Sequence, residues 1–261
     1  MKILKRVILI ILLVMSTAFS IFVFNGFIEK TTVDTDINAF KERGVFVETI
    51  DNNSYYKVKA KDSEDGKGVF DYQSGTNYIG TTGDIIITNR NPLRYSKSFI
   101  TRNIVNFFSK NMFIGHATYN VSSDGSMMVE ITDHYIGGGV DEEGVKYSPN
   151  NWIELDDGSP MIVGLRVKGI DDETKEQLKR FAVENIGKEY NRYFIKRQNK
   201  FYCTDLVTRA YESAGIYLNY DGFFVTGNDM IVCKETYIIF IREKVEIDGE
   251  DHYNIYYLVE E

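Results

Sequence analysis

Phe201-Tyr202-Cys203-Thr204-Asp205-Leu206-Val207 places a cysteine where a helix begins. From Leu206 the apolar residues recur at helical spacing. Leu206, Val207, Ala210, Tyr211 and Ala214 form one stripe, and Gly215 stands where a C-terminal cap belongs. Cys203 is thus at the helix's N-terminal end, where unpaired backbone N–H groups and the helix dipole favour the thiolate, the form that attacks carbonyl carbon. A lone cysteine is more often a small buried hydrophobe, so the nucleophile reading depends on partners elsewhere in the chain.

Those partners lie upstream. Phe113-Ile114-Gly115-His116-Ala117-Thr118-Tyr119 and Met127-Met128-Val129-Glu130-Ile131 read as short strands, and Ser122-Ser123-Asp124-Gly125 between them carries the Asp-Gly signal of a hairpin. His116 and Glu130, 14 residues apart, then fall on neighbouring strands. A thiol hydrolase needs an imidazole to take the thiol proton and return it to the leaving group, and a carboxylate to fix the imidazole's tautomer. Asp133 is the substitute for Glu130 as orienter. The backbone N–H of Cys203 and the Tyr190 hydroxyl are the candidate oxyanion donors, and Tyr202, Phe201 and Phe194 are candidates to line the cleft or pack the helix. His134, beside Gly137-Gly138-Gly139, reads as a loop residue, and His252 as a surface strand residue. The three histidines and two cysteines lack the close spacing of a metal site, and no cofactor motif is evident.

The order Gly-His-Ala, then Val-Glu-Ile, then Tyr-Cys-Thr-Asp-Leu-Val opening a helix resembles the circularly permuted NlpC/P60 cysteine hydrolases, the YiiX/YebB-like branch of the papain-like superfamily. The cysteine follows the histidine by 87 residues, as the permuted branch requires. The resemblance starts at Gly83-Asp84-Ile85-Ile86-Ile87, continues through Gly187-Lys188-Glu189-Tyr190, and ends near Val225-Thr226-Gly227-Asn228-Asp229. Thr204-Asp205 stands where the family commonly shows Ser-Glu, and Glu189 and Gly227 replace prolines. The resemblance implies a papain-like α+β fold, a mostly antiparallel sheet packed with helices, and a Cys203-His116-Glu130 hydrolase acting on cell-wall peptides or acylated molecules.

The N-terminus bears on location. Met1-Lys2-Ile3-Leu4-Lys5-Arg6 is basic, and residues 7–24 form an 18-residue run without charge. As a helix this run is roughly 27 Å long, about the hydrocarbon thickness of a bilayer. Two readings compete: an uncleaved transmembrane anchor, which we favour, and a signal peptide cleaved near the small-x-small stretch Ala18-Phe19-Ser20. Basic residues on the N-terminal side place everything from about residue 26 outside the cell. Beyond Asn25 the chain carries 27 basic and 38 acidic residues, a formal charge of −11 against −8 for the whole, which argues against nucleic acid as a partner. In an exported protein Cys203 and Cys233 compete as a disulfide pair, which would remove the nucleophile.

The organisation we read is residues 1–25 as anchor or signal, 26–80 as a stalk and small β extension, and 81–261 as the catalytic domain. Residues 44–48, 55–59 and 69–72 look like short strands, and 61–68 like a loop. Residues 96–110 and 171–187 fit amphipathic helices and 162–167 a strand. Residues 237–247 and 253–259 about Asp248-Gly249 fit a closing hairpin. Substrate candidates are a peptide, peptidoglycan or an acyl lipid. The competing functions are a lipid-directed acyltransferase or esterase, and an idle binding module that keeps the cleft.

Overall fold

Helix α1 (Lys2–Glu42) leads into the hairpin β1 (Gly44–Ile50) and β2 (Asn53–Lys59). Strand β3 (Ile85–Thr88), helix α2 (Phe99–Met112), β4 (His116–Asn120), β5 (Met127–Thr132) and β6 (Gly144–Pro149) follow. Then come β7 (Met161–Val167), α3 (Asp172–Asn185), α4 (Cys203–Ser213), the short α5 (Gly227–Val232), and the hairpin β8 (Thr236–Ile247) and β9 (Glu250–Val259). This computed structural model describes residues 2–94, 97–133, 142–153, 159–193, 197–219 and 224–260, with the side chains of residues 2, 3, 18, 19 and 22 excepted. His134, Gly137 to Gly139 and Phe194 lie outside the described residues.

The strands form one sheet in the order β1-β2-β9-β8-β7-β3-β4-β5-β6, antiparallel throughout except where β2 runs parallel to β9. The protein is α+β, with a large mixed sheet. Ile85, Ile86 and Ile87 of β3 have no exposed surface, because a central strand is covered on both faces and so loses the period-two alternation of a half-buried one. Helix α4 crosses β4 and β5, and α3 packs on α4. Phe70 lies edge-on to Phe240 and Tyr257, with centroids 5.2 and 5.5 Å apart.

Three readings of the sequence change here. Residues 69–72 are irregular rather than a strand; Val69 and Phe70 are buried by lying over the sheet, so their apolar character reflects packing and not pairing. Residues 34–41, which look like mixed polar stalk, belong to α1. Val33, Ile37 and Phe40 recur one helical turn apart among the polar residues and are buried, and the helix packs against α5. Strand β6 is absent from the sequence reading, since its alternation of Lys146 and Ser148 with apolar residues ends at Pro149 and follows a glycine-rich stretch.

Among the described residues no helix is long and apolar enough to cross a membrane. The transmembrane span therefore remains an expectation from the sequence. The described apolar side chains from Leu4 to Met15 of α1 are exposed.

A buried ion pair ties β3 to β7. Arg166 donates from Nε to Asp84 Oδ1 at 2.8 Å and from Nη2 to Asp84 Oδ2 at 2.7 Å, while its Nη1 donates to the Asp65 and Lys67 carbonyls. Its guanidinium is buried, but the Asp84 carboxylate outweighs that burial and raises its pKa. The Gly-Asp-Ile stretch thus serves the frame of the domain. Gly83, at φ +90°, accepts a hydrogen bond from the Tyr211 hydroxyl of α4 through its carbonyl.

Candidate active site

Helix α4 begins at Cys203. Its N-cap, Tyr202, makes no side-chain capping bond, so the first N–H groups are left for whatever occupies the space in front of them. Leu206, Val207, Ala210 and Tyr211 are fully buried and fix the helix across the sheet. Arg209 pairs with Asp205 at 3.5 Å and lies over the Phe201 ring at 4.2 Å, clamping the residue before the N-cap.

His116 opens β4, opposite Thr88 of β3. The chain reaches this position through Gly115, where a Cβ would lie 2.4 Å from the Thr88 carbonyl oxygen; only glycine fits. The β4–β5 register pairs Tyr119 with Val129 and Asn120 with Met128. Continued by one step, it sets Glu130 diagonally from His116 on the same face. The His116 Nε2 to Glu130 Oε2 distance is 2.7 Å.

Cys203 lies beside His116 on the same cavity wall, near enough for its side chain to act on the imidazole. With Nε2 engaged by Glu130, Nδ1 is the nitrogen left to face the sulfur. Burial disfavours the imidazolium, but the contacts with Cys203 and Glu130 outweigh it and lift His116 from 6.5 to about 9. Glu130 answers in the opposite direction. Burial pushes its carboxyl up, but the bond to His116 and the bond from Ser148 bring it down to about 2. Ser148 Oγ donates to Glu130 Oε1, and Lys146 Nζ stands 4.0 Å from that oxygen. Both residues come from β6, and the sequence reading contains neither. It also misses Trp152, whose ring stacks on His116 with centroids 5.8 Å apart at 23°.

Cys203 and His116 border a cavity of about 470 Å³. Leu93, Val105, Ile114, Ile131, Phe224 and Val225 supply apolar walls, and Arg90, Arg94 and Arg192 add positive charge. Tyr190 also lines it. A backbone bridge between Tyr190 and Phe201 holds that residue beside the start of α4. Burial, and after it the proximity of Cys203, raises the Tyr190 phenol well above its ordinary range, so its hydroxyl keeps its proton and remains a donor. Tyr202 contributes its ring to the wall, stacked on Phe224 at 5.0 Å, while its hydroxyl accepts from the Val225 N–H at 3.3 Å.

Asp133 is buried at the cavity edge and receives a hydrogen bond from Arg192 Nε; Glu130 rather than Asp133 contacts His116. His252 lies on β9, opposite Val245 of the terminal hairpin. Both cysteines are free, so the disulfide alternative does not apply, and burial pushes the Cys233 thiol up. Among the described residues no group of three or more His, Cys, Asp or Glu side chains is placed to hold a metal ion.

Residues 80–226 match the family described as permuted papain-like amidase enzyme, YaeF/YiiX, C92 family. A crystal structure of metalloprotein yiiX from Escherichia coli O157:H7 is 19% identical, covers 61% of this chain and 96% of its own, and superposes with a TM-score of 0.38. No curated protein matches the chain.

Proposed function

The chain belongs to the permuted papain-like amidase family, and from that premise we propose that it is a membrane-anchored thiol hydrolase that opens an amide or ester bond outside the cell through an acyl-enzyme on Cys203. The observation that carries this reading is the position of one imidazole, His116, which meets Glu130 at 2.7 Å and shares the wall of a cavity with Cys203.

The chemistry follows from that placement. His116 Nδ1 takes the thiol proton, and Glu130 holds the resulting imidazolium while Ser148 and Lys146 keep Glu130 charged and aimed. The thiolate adds to the substrate carbonyl. The developing oxyanion lies in front of α4, where the Cys203 N–H and the Tyr190 hydroxyl are its donors. The imidazolium then protonates the departing amine or alcohol as the carbon–leaving-group bond breaks, leaving a thioester. Water deprotonated by the same imidazole hydrolyses the thioester and regenerates the thiol.

The location rests on the uncharged run of residues 7–24 and the cluster of Lys2, Lys5 and Arg6 immediately on its N-terminal side. Cell-wall peptides and acylated molecules are the substrate classes. The apolar walls of the cavity favour an acyl group over a purely polar peptide. The test is mass spectrometry of the Cys203 peptide after exposure to cell-wall and lipid extracts. An acyl adduct on Cys203 that is absent from Cys203→Ala, which lacks the sulfur, and from His116→Ala, which lacks the base that forms it, is the expected result. An unmodified Cys203 with full turnover rejects the thiol mechanism.

A further inference from the structure

Helix α2 contradicts the usual meaning of an apolar stripe. Phe99, Ile100, Ile104 and Phe107 are 69%, 71%, 53% and 49% exposed, and only Ser109 and Met112 of this 14-residue helix are buried. A helix packed on a core shows the reverse. Such a face on a protein surface marks an interaction site.

Two further observations identify what covers it. Residues 85–123 contain Arg90, Arg94, Lys97, Arg102 and Lys110 and no Asp or Glu, in a chain with 38 acidic residues, so the stretch that carries α2 is basic within an acidic protein. The same helix packs against the apolar N-terminal segment of α1. Phe27 and Phe107 are 6.2 Å apart, and Met112 packs so tightly on Gly26 that a Cβ there would lie 2.6 Å from its methyl carbon. Phe24, Phe27 and Ile28 of α1 are exposed beside it. The end of the apolar run and the face of α2 therefore form one surface. Apolar residues flanked by Lys and Arg are the composition of a helix that lies in the headgroup region of an anionic bilayer.

We propose that the face of α2 bearing Phe99, Ile100, Ile104 and Phe107 lies on the surface of the bilayer that holds α1, against anionic phospholipid. Val105 of α2 and Pro92 and Leu93 just before it also line the Cys203 cavity, so this docking opens the cavity at the lipid surface. The substrate is then an acylated molecule drawn from the bilayer. The inference rests on the anchored-hydrolase reading and narrows its substrate to molecules that present an acyl chain at the membrane.

The experiment uses the full chain in vesicles of phosphatidylcholine and phosphatidylglycerol carrying brominated acyl chains, which quench tryptophan at bilayer depth. The sole native tryptophan, Trp152, is 4% exposed and gives a constant background. The reporter is Ile104→Trp, with Ile100→Trp as a second should the first misfold, and Val183→Trp on α3 is the exposed control. The expected result is a loss of roughly half the reporter emission, with a blue shift, and no loss for the control. The loss shrinks in pure phosphatidylcholine or in about 0.5 M salt. A chain that floats with the vesicles while its reporter stays open to aqueous iodide and untouched by brominated lipid overturns the docking alone, as does burial of the reporter against a second copy of the chain. Failure to float at all rejects the anchor, and with it this proposal. None of these readouts needs turnover, so the catalytic reading stands or falls separately.

Discussion

Replacing Glu130 by Gln tests the electrostatic core of the site. The change keeps the shape of the side chain and removes one negative charge. In the wild type the imidazolium of His116, ordinarily at 6.5, is lifted to about 9 against its own burial. At about 1.4 kcal/mol per tenfold, that is on the order of 3 kcal/mol of preference for the charged ring, shared between Cys203 and Glu130. Loss of the Glu130 charge lowers the His116 pKa. Because the charged ring must persist for attack and leaving-group protonation, kcat/KM falls as pH rises through the His116 pKa. The high-pH limb, near 9 in the wild type, should therefore move down toward neutrality.

A second effect concerns the tautomer. Ser148 donates to Oε1, so the glutamine carbonyl takes that position and its NH₂ faces Nε2. A donor at Nε2 favours the neutral tautomer that carries its proton on Nδ1, which cannot accept the thiol proton. We expect kcat to fall on the order of tenfold to a thousandfold. The assay is kcat/KM against pH on a small thioester or ester substrate, paired with the pH dependence of iodoacetamide alkylation of Cys203. An unchanged high-pH limb, or an equal loss in Asp133→Asn with none in Glu130→Gln, would refute the assignment of Glu130 as the group that holds His116.

Other outcomes follow from the same structure. Cys203→Ala should abolish turnover with an unchanged melting temperature, whereas Cys233→Ser should keep most activity; a comparable collapse in the second would show that Cys233 matters to the site. Asp84→Asn removes the carboxylate that meets Arg166 through two hydrogen bonds, leaving only the Asp65 carboxylate at 3.9 Å, and should cost on the order of 3 kcal/mol in stability, read by denaturant unfolding. A change within measurement error would show that the Asp65 and Lys67 carbonyls suffice for the guanidinium. The intact protein should fractionate with membranes, and protease added to cells stripped of their wall should digest the domain beyond Asn25. Digestion only after lysis would reverse the orientation, and a shortened soluble form in the medium would show cleavage near Ser20.

Much of this protein is legible in its sequence because it is encoded locally. The 203–213 helix follows from apolar spacing and the hairpin of β4 and β5 from strand periodicity about Asp124-Gly125, and together they name Cys203, His116 and Glu130. The partners that make those residues a site are encoded otherwise. Ser148 and Lys146 reach Glu130 only through β6, whose alternating residues next to glycines carry little period-two signal, and Trp152 reaches His116 from the loop beyond it. Asp84 and Arg166 are 82 residues apart and announce nothing until β3 and β7 are paired. The stripe on residues 96–110 was readable as a stripe, but its direction was not. Spacing along the chain fixes local conformation through side-chain periodicity and turn geometry. Which surface a stripe meets, and which carboxylate meets which cation, depends on strand register and long-range closure, and only the tertiary structure settles those.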